Sequence, residues 1–118
     1  MPPSPLTRVR KLALSLPDAH EELAWGEPTF RVKNKIFAMY ASPNNHHGAG
    51  HEAVWVMSTH VNQSLMVAAK PKRFFVPPYA GVAGWVGVRL DGRVNWNEVR
   101  DLLKDAYELR ARKSKRRA

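Results

Sequence analysis

From Arg73 to Asp91 the chain reads Arg-Phe-Phe-Val-Pro-Pro-Tyr-Ala-Gly-Val-Ala-Gly-Trp-Val-Gly-Val-Arg-Leu-Asp, and no other stretch narrows the fold as much. Pro77-Pro78 fixes φ twice and removes two backbone donors, so neither a helix nor a central strand can cross it. Gly81, Gly84 and Gly87 then allow turning or close backbone approach, while Trp85, Val86, Val88 and Leu90 carry the pattern of a strand. Glycines that cradle a dinucleotide follow a strand and open a helix; these run into a strand, which excludes that function.

The flanking segments supply the remaining elements. Leu6, Val9, Leu12, Ala13 and Leu16 recur at helical spacing, predicting a core-facing helix over 6–16 with Ser4 or Thr7 as cap and Pro17 as stop. Phe30 and Val32 alternate with Arg31 and Lys33, and Ile36 to Tyr40 resumes an apolar run. That pattern predicts a tight hairpin with Asn34 at its tip. A polar loop, Ser42 to Glu52, leads to a strand over 53–57. A second helix is predicted from Ser58 or Thr59 to Ala69, burying Val61, Leu65, Met66 and Ala69 and ended by Pro71. In the last helix Asn95 is the cap and Glu98 its reciprocal partner, and Trp96, Val99, Leu102, Leu103, Ala106 and Tyr107 form the apolar face. This order is that of an α+β fold, a compact antiparallel sheet packed by helices.

Charge divides the chain unevenly. The net charge is +9, but Arg110, Arg112, Lys113, Lys115, Arg116 and Arg117 hold six of the cations, leaving thirteen bases against ten acids up to Leu109. The expected organisation is one α+β domain over 1–109 and a basic, flexible tail over 110–118. There is no cysteine, hence no disulfide, thiolate metal site or thiol nucleophile. No apolar run approaches the ~20 residues that span a bilayer. Met-Pro-Pro-Ser-Pro lacks the basic leader and apolar core of a secretory signal. A cytoplasmic bacterial protein with no membrane partner is the expectation.

Several separated motifs point to a family. Leu16-Pro17, Trp25-Gly26-Glu27-Pro28-Thr29-Phe30-Arg31-Val32 and Lys35-Ile36-Phe37-Ala38 resemble the first half of the MmcQ/YjbR family of small bacterial domains. Phe74-Phe75-Val76-Pro77-Pro78-Tyr79, Gly84 to Asp91 and the helix from Trp96 to Leu109 resemble its second half. The resemblance implies an architecture likened to secretion chaperones and frataxin, and a double-wing, DNA-binding role for projecting hairpins. It implies no catalytic residues. Iron binding is not carried over, because it requires an acidic surface and this chain is basic.

Candidate sites follow from both readings. Arg31, Lys33 and Lys35 crowd one hairpin end, where cations can reach phosphates; Arg89 and Arg93 flank the Asp91-Gly92 turn as a second tip. The basic tail adds attraction that reads no sequence. DNA is therefore the expected partner, with no catalysis and no cofactor. The bland reading is that these charges keep hairpin edges and the terminus soluble. The alternative function is a protein- or small-ligand-binding module using a cleft near Trp25, Tyr79 and Trp85, aromatics whose direction periodicity does not decide. His46, His47, His51, Glu52 and His60 have metal-ligand chemistry, but their Gly- and Asn-rich loop lacks rigidity, so no metal is expected. Asp18 beside His20 has no nucleophile to activate, and Glu21, Glu22 and Glu27 have no paired acid.

Overall fold

The fold is described by a computed structural model that places residues 3–44 and 50–115, with side chains as far as Arg112. The Ser4 side chain accepts the Thr7 N–H and Pro5 takes the first helical turn, where a missing donor costs nothing, so α1 runs Pro5–Leu14. Two hairpins follow. Trp25 and Gly26 (φ 55° and 78°) close the first, pairing β1 (His20–Ala24) with β2 (Glu27–Val32). Lys33 and Asn34 (φ 53° and 62°) close the second, pairing β2 with β3 (Lys35–Ala41). Two successive positive φ values are the signature of the hairpin turn whose twist matches the strands.

β4 (Ala53–Val56), α2 (His60–Ala69), β5 (Phe74–Phe75), a 3-10 turn (Ala80–Ala83), β6 (Val86–Arg89) and α3 (Trp96–Lys115) complete the chain. The strands form one antiparallel sheet in the order β1-β2-β3-β4-β6-β5. Register assigns its two faces. Phe30, Ala38, Val56 and Val86 lie in one cross-strand row, all buried, in the core to which α1 and α3 add Val9, Ala13, Val99, Leu103 and Ala106. The next row, Thr29, Met39, Trp55 and Gly87, faces the other way. Gly87 is needed there: a Cβ would sit 2.4 Å from the Phe75 ring, which occupies its place.

Three expectations are corrected. In α2, Val61, Leu65 and Ala69 are exposed and Met66 is only half-buried; the one buried residue is Gln63. The helix is held by hydrogen bonds more than by an apolar stripe. Asn95 does cap α3, its Oδ1 accepting the Glu98 N–H, but the Glu98 carboxylate is taken by Arg73 and Lys70 instead of returning to the cap. Third, the last helix does not end at Leu109, because α3 continues to Lys115. Arg116 and Arg117 lie outside the described residues. Among the described residues no helix is long and apolar enough to cross a membrane.

Candidate functional site

One cleft gathers Trp25, Tyr79 and Trp85, the aromatics singled out by sequence, with two of the candidate cations, Lys35 and Arg110. Its floor is the outward row, Met39 and Trp55, both buried. Trp25 comes from the β1–β2 turn, Tyr79 from the proline-stiffened turn, and Trp85 from the entry to β6. Lys35 and Ile36 line it from the second hairpin and Arg110 from α3, enclosing about 770 Å³. That is within the range of small-ligand sites. Trp85 is largely buried, whereas Trp25 and Tyr79 stand 60% and 77% exposed.

Both exposed aromatics sit on unusual backbone. Trp25 has φ 55° and Tyr79 φ 63°, ψ −63°, and the Ala80 N–H donates to Pro78 O at 2.6 Å. The latter is a γ-turn of positive φ, a rare and strained conformation, and bulky residues seldom adopt positive φ at all. The wall carrying Tyr79 is braced from behind. The buried Gln63 amide donates to Gly81 O at 2.9 Å and Trp85 O at 2.7 Å, tying α2 to both ends of the 3-10 turn.

Arg110 is the residue that sequence reasoning misplaced. Its Nε donates to Ile36 O at 3.0 Å, docking the C-terminal half of α3 beside Lys35. Partial burial pulls its guanidinium below the ordinary value, yet Arg stays cationic at any physiological pH. The signal that finds it is helical period: Leu103, Ala106, Tyr107 and Arg110 share one side of α3.

The two expected tips do not meet. Val32 pairs with Lys35 at one end of the strands, while Ala41, Ala53 and Arg89 form a row at the other. Six residues of β3 separate these ends, about 20 Å at the rise of a strand. Arg93 lies on that far side with Arg89, whose guanidinium makes two 3.0 Å hydrogen bonds to Asp91. Arg31 donates to Thr29 Oγ1 and is half-buried; Lys33 and Lys35 are exposed. Arg112 is exposed beyond Arg110, and the side chains of Lys113 and Lys115 lie outside those described. His46 and His47 also fall outside the described residues. His51 faces Asp91 (Nδ1 to Oδ2, 3.6 Å), and among the described residues no group of three metal-ligating side chains exists.

A separate polar cluster holds the far end of the second hairpin. The Glu27 carboxylate accepts the Ser42 N–H at 2.6 Å, and Tyr40 OH donates to Glu52 Oε2. Burial, then the hydrogen bond to Glu52 and the charges of Glu52 and Glu27, push the Tyr40 phenol well above its usual value of about 10. An unfolded tyrosine ionises at lower pH than the folded one, so this contribution is complete below about pH 10 and fades as pH rises toward the folded value. Urea unfolding followed from about pH 9 to 11 is expected to lose stability more steeply in the wild type than in Tyr40→Phe. Parallel curves would show that the phenol does not govern alkaline unfolding.

Comparison with known proteins adds two findings. A family model described as YjbR matches residues 14–109. Among solved structures, the crystal structure of Deinococcus radiodurans protein DR2400, with a DUF419 domain, superimposes with a TM-score of 0.72 at 19% identity, covering 88% of this chain and 76% of that one. The likeness establishes the α+β fold. No curated protein matches.

Proposed function

We propose that this chain, which belongs to the YjbR family, binds nucleic acid without catalysis through one basic end of its fold. The observation that carries this reading is the hydrogen bond from Arg110 to Ile36 O, which sets the C-terminal half of α3 beside the Lys33–Lys35 hairpin tip. Lys35 and Arg110 then border the same cleft, with exposed Lys33 at the adjoining hairpin tip; Arg112 lines a separate groove between α2 and α3 and is not part of this surface. Phosphates spaced along a strand are matched by cations held on two separate elements, because a line of fixed charges neutralises several phosphates at once. Arg89 and Arg93 are left out of this surface by the register, and Arg89 is also neutralised by Asp91. Arg31 serves the hairpin through Thr29.

The test is fluorescence anisotropy of labelled DNA over a salt series. Lys35→Gln with Arg110→Gln is expected to weaken binding about tenfold and flatten the salt slope by about 2, since each phosphate contact contributes ~0.9 on duplex DNA. Arg89→Gln with Arg93→Gln should leave both nearly unchanged. Equal losses from the two pairs would mean diffuse attraction. Absence of binding at low salt would move the function to a small ligand of the cleft.

A further inference from the structure

Resting on that reading, we infer that the aromatic cleft receives an unpaired base, so that this chain selects single-stranded nucleic acid over duplex. The argument starts from the backbone. Trp25 could be Asn or Gly and Tyr79 could be Gly with less strain, since positive φ suits those residues. The fold instead keeps two large rings there, outside the core and 60% and 77% exposed. Strained residues persist where the surrounding structure holds them, and they cluster at ligand-binding sites.

The chemistry of the cleft fits a base better than other flat groups. Met39, Trp55 and Trp85 supply an apolar floor, and the two exposed rings supply stacking faces beside it. Stacking tolerates any base, since each presents a π-face. A duplex hides those faces inside its stack, so only an unpaired base can enter. Lys35 and Arg110 at the edge of the same cleft suit the phosphates of the entering nucleotide. Exposed Lys33, next to Lys35 at the hairpin tip but outside the cleft lining, offers a cation for a further phosphate, which favours a strand over a free nucleotide.

The experiment compares a labelled dT oligomer of roughly 12 nucleotides, within the span one small domain covers, with a duplex of equal length. The wild type is expected to bind the oligomer at least about tenfold more tightly. Trp25→Ala and Tyr79→Ala should each lose about tenfold on the oligomer and little on the duplex, while Tyr79→Phe, which keeps the ring, retains binding. Lys35→Gln with Arg110→Gln should weaken both. Equal wild-type affinities, or aromatic variants that bind the oligomer as the wild type does, would overturn the base-stacking inference and leave the basic end standing. Thymidine monophosphate competing as well as the oligomer would make the cleft a small-molecule site and likewise overturn it. No binding to either DNA would instead overturn the basic-end reading on which the inference rests.

Discussion

Phe37→Ala is expected to lower the free energy of unfolding by about 4 kcal/mol, a large share of what a domain of this size possesses. Phe37 is fully buried and lies at the irregularity where Phe30 pairs with Ala38 and Arg31 with Ile36, so its side chain falls outside the regular alternation. The ring meets Tyr107 edge-on, centroids 5.6 Å apart, and Tyr107 OH donates to Pro17 O at 2.7 Å. One side chain thus fastens α3 to the sheet and, through Tyr107, to the segment after α1. Truncation removes the transfer free energy of the ring and leaves a cavity that a sheet and a helix cannot close. Tyr107 stands three residues before Arg110, so the same substitution should loosen the contact between α3 and the hairpin tip. Chemical denaturation checks the first effect; a loss below about 2 kcal/mol, with Phe37→Leu no better than Phe37→Ala, would mean that this joint is not where α3 is held.

Periodic segments were legible because their physics is local. The first and last helices, the hairpin around Asn34 and the strands before and after α2 come from spacing, caps and turn residues that act within a few positions. β1 and β5 were not legible. β1 is His-Glu-Glu-Leu-Ala, an edge strand whose outward polar residues hide any alternation, and it exists because the Trp25-Gly26 turn folds it onto β2. β5 is two residues long and is defined by pairing with β6. The faces of α2 misled for a related reason: Val61 and Leu65 have helical spacing, but the helix is anchored by Gln63, whose partners are carbonyls eighteen and twenty-two residues away.

The candidate site divides in the same way. Trp25, Tyr79 and Trp85 could be named together as aromatics of undecided direction, and the cleft does bring them together. Trp55 was hidden in plain alternation: Val54 and Val56 face the core, so Trp55 must face away from it. For the cations, sequence names two β-turn tips but not the end of the sheet at which each emerges. In an antiparallel sheet the end at which a turn emerges is a matter of strand parity. A turn after β2 and one after β6 fall at opposite ends here because β3 and β4 lie between them. Composition cannot reveal parity. Arg110 reads as one of the terminal cations because the charge run is continuous in sequence, whereas in space it is bonded from α3 to the hairpin.

Gly84→Ala is expected to cost about 2–4 kcal/mol and to damage the cleft, although Gly84 does not line it. Gly84 has φ 93°, where an L side chain is strained, and an added Cβ would stand 2.9 Å from His60 N and 3.0 Å from Thr59 C. These are backbone atoms at the start of α2, so no side chain can swing aside. Relief requires α2 to move away from the 3-10 turn, and Gln63, one turn into α2, would lose its hydrogen bonds to Gly81 O and Trp85 O. Trp85 O would then lose its amide donor and Gly81 O would keep only the Gly84 N–H, so the wall that presents Tyr79 would lose its brace. Gly92→Ala separates the terms: Gly92 has φ 95° but nothing within 4 Å of its Cβ, so only the backbone strain of about 1 kcal/mol applies. Thermal melts of the two variants should differ, with Gly84→Ala lower in Tm by roughly 10 °C than the wild type and Gly92→Ala lower by a few degrees. The oligomer-over-duplex preference should fall in Gly84→Ala alone. If both glycines respond alike in stability and in binding, α2 is not the part that holds Tyr79 in its strained turn, and the cleft must owe its shape to the Pro77-Pro78 segment by itself.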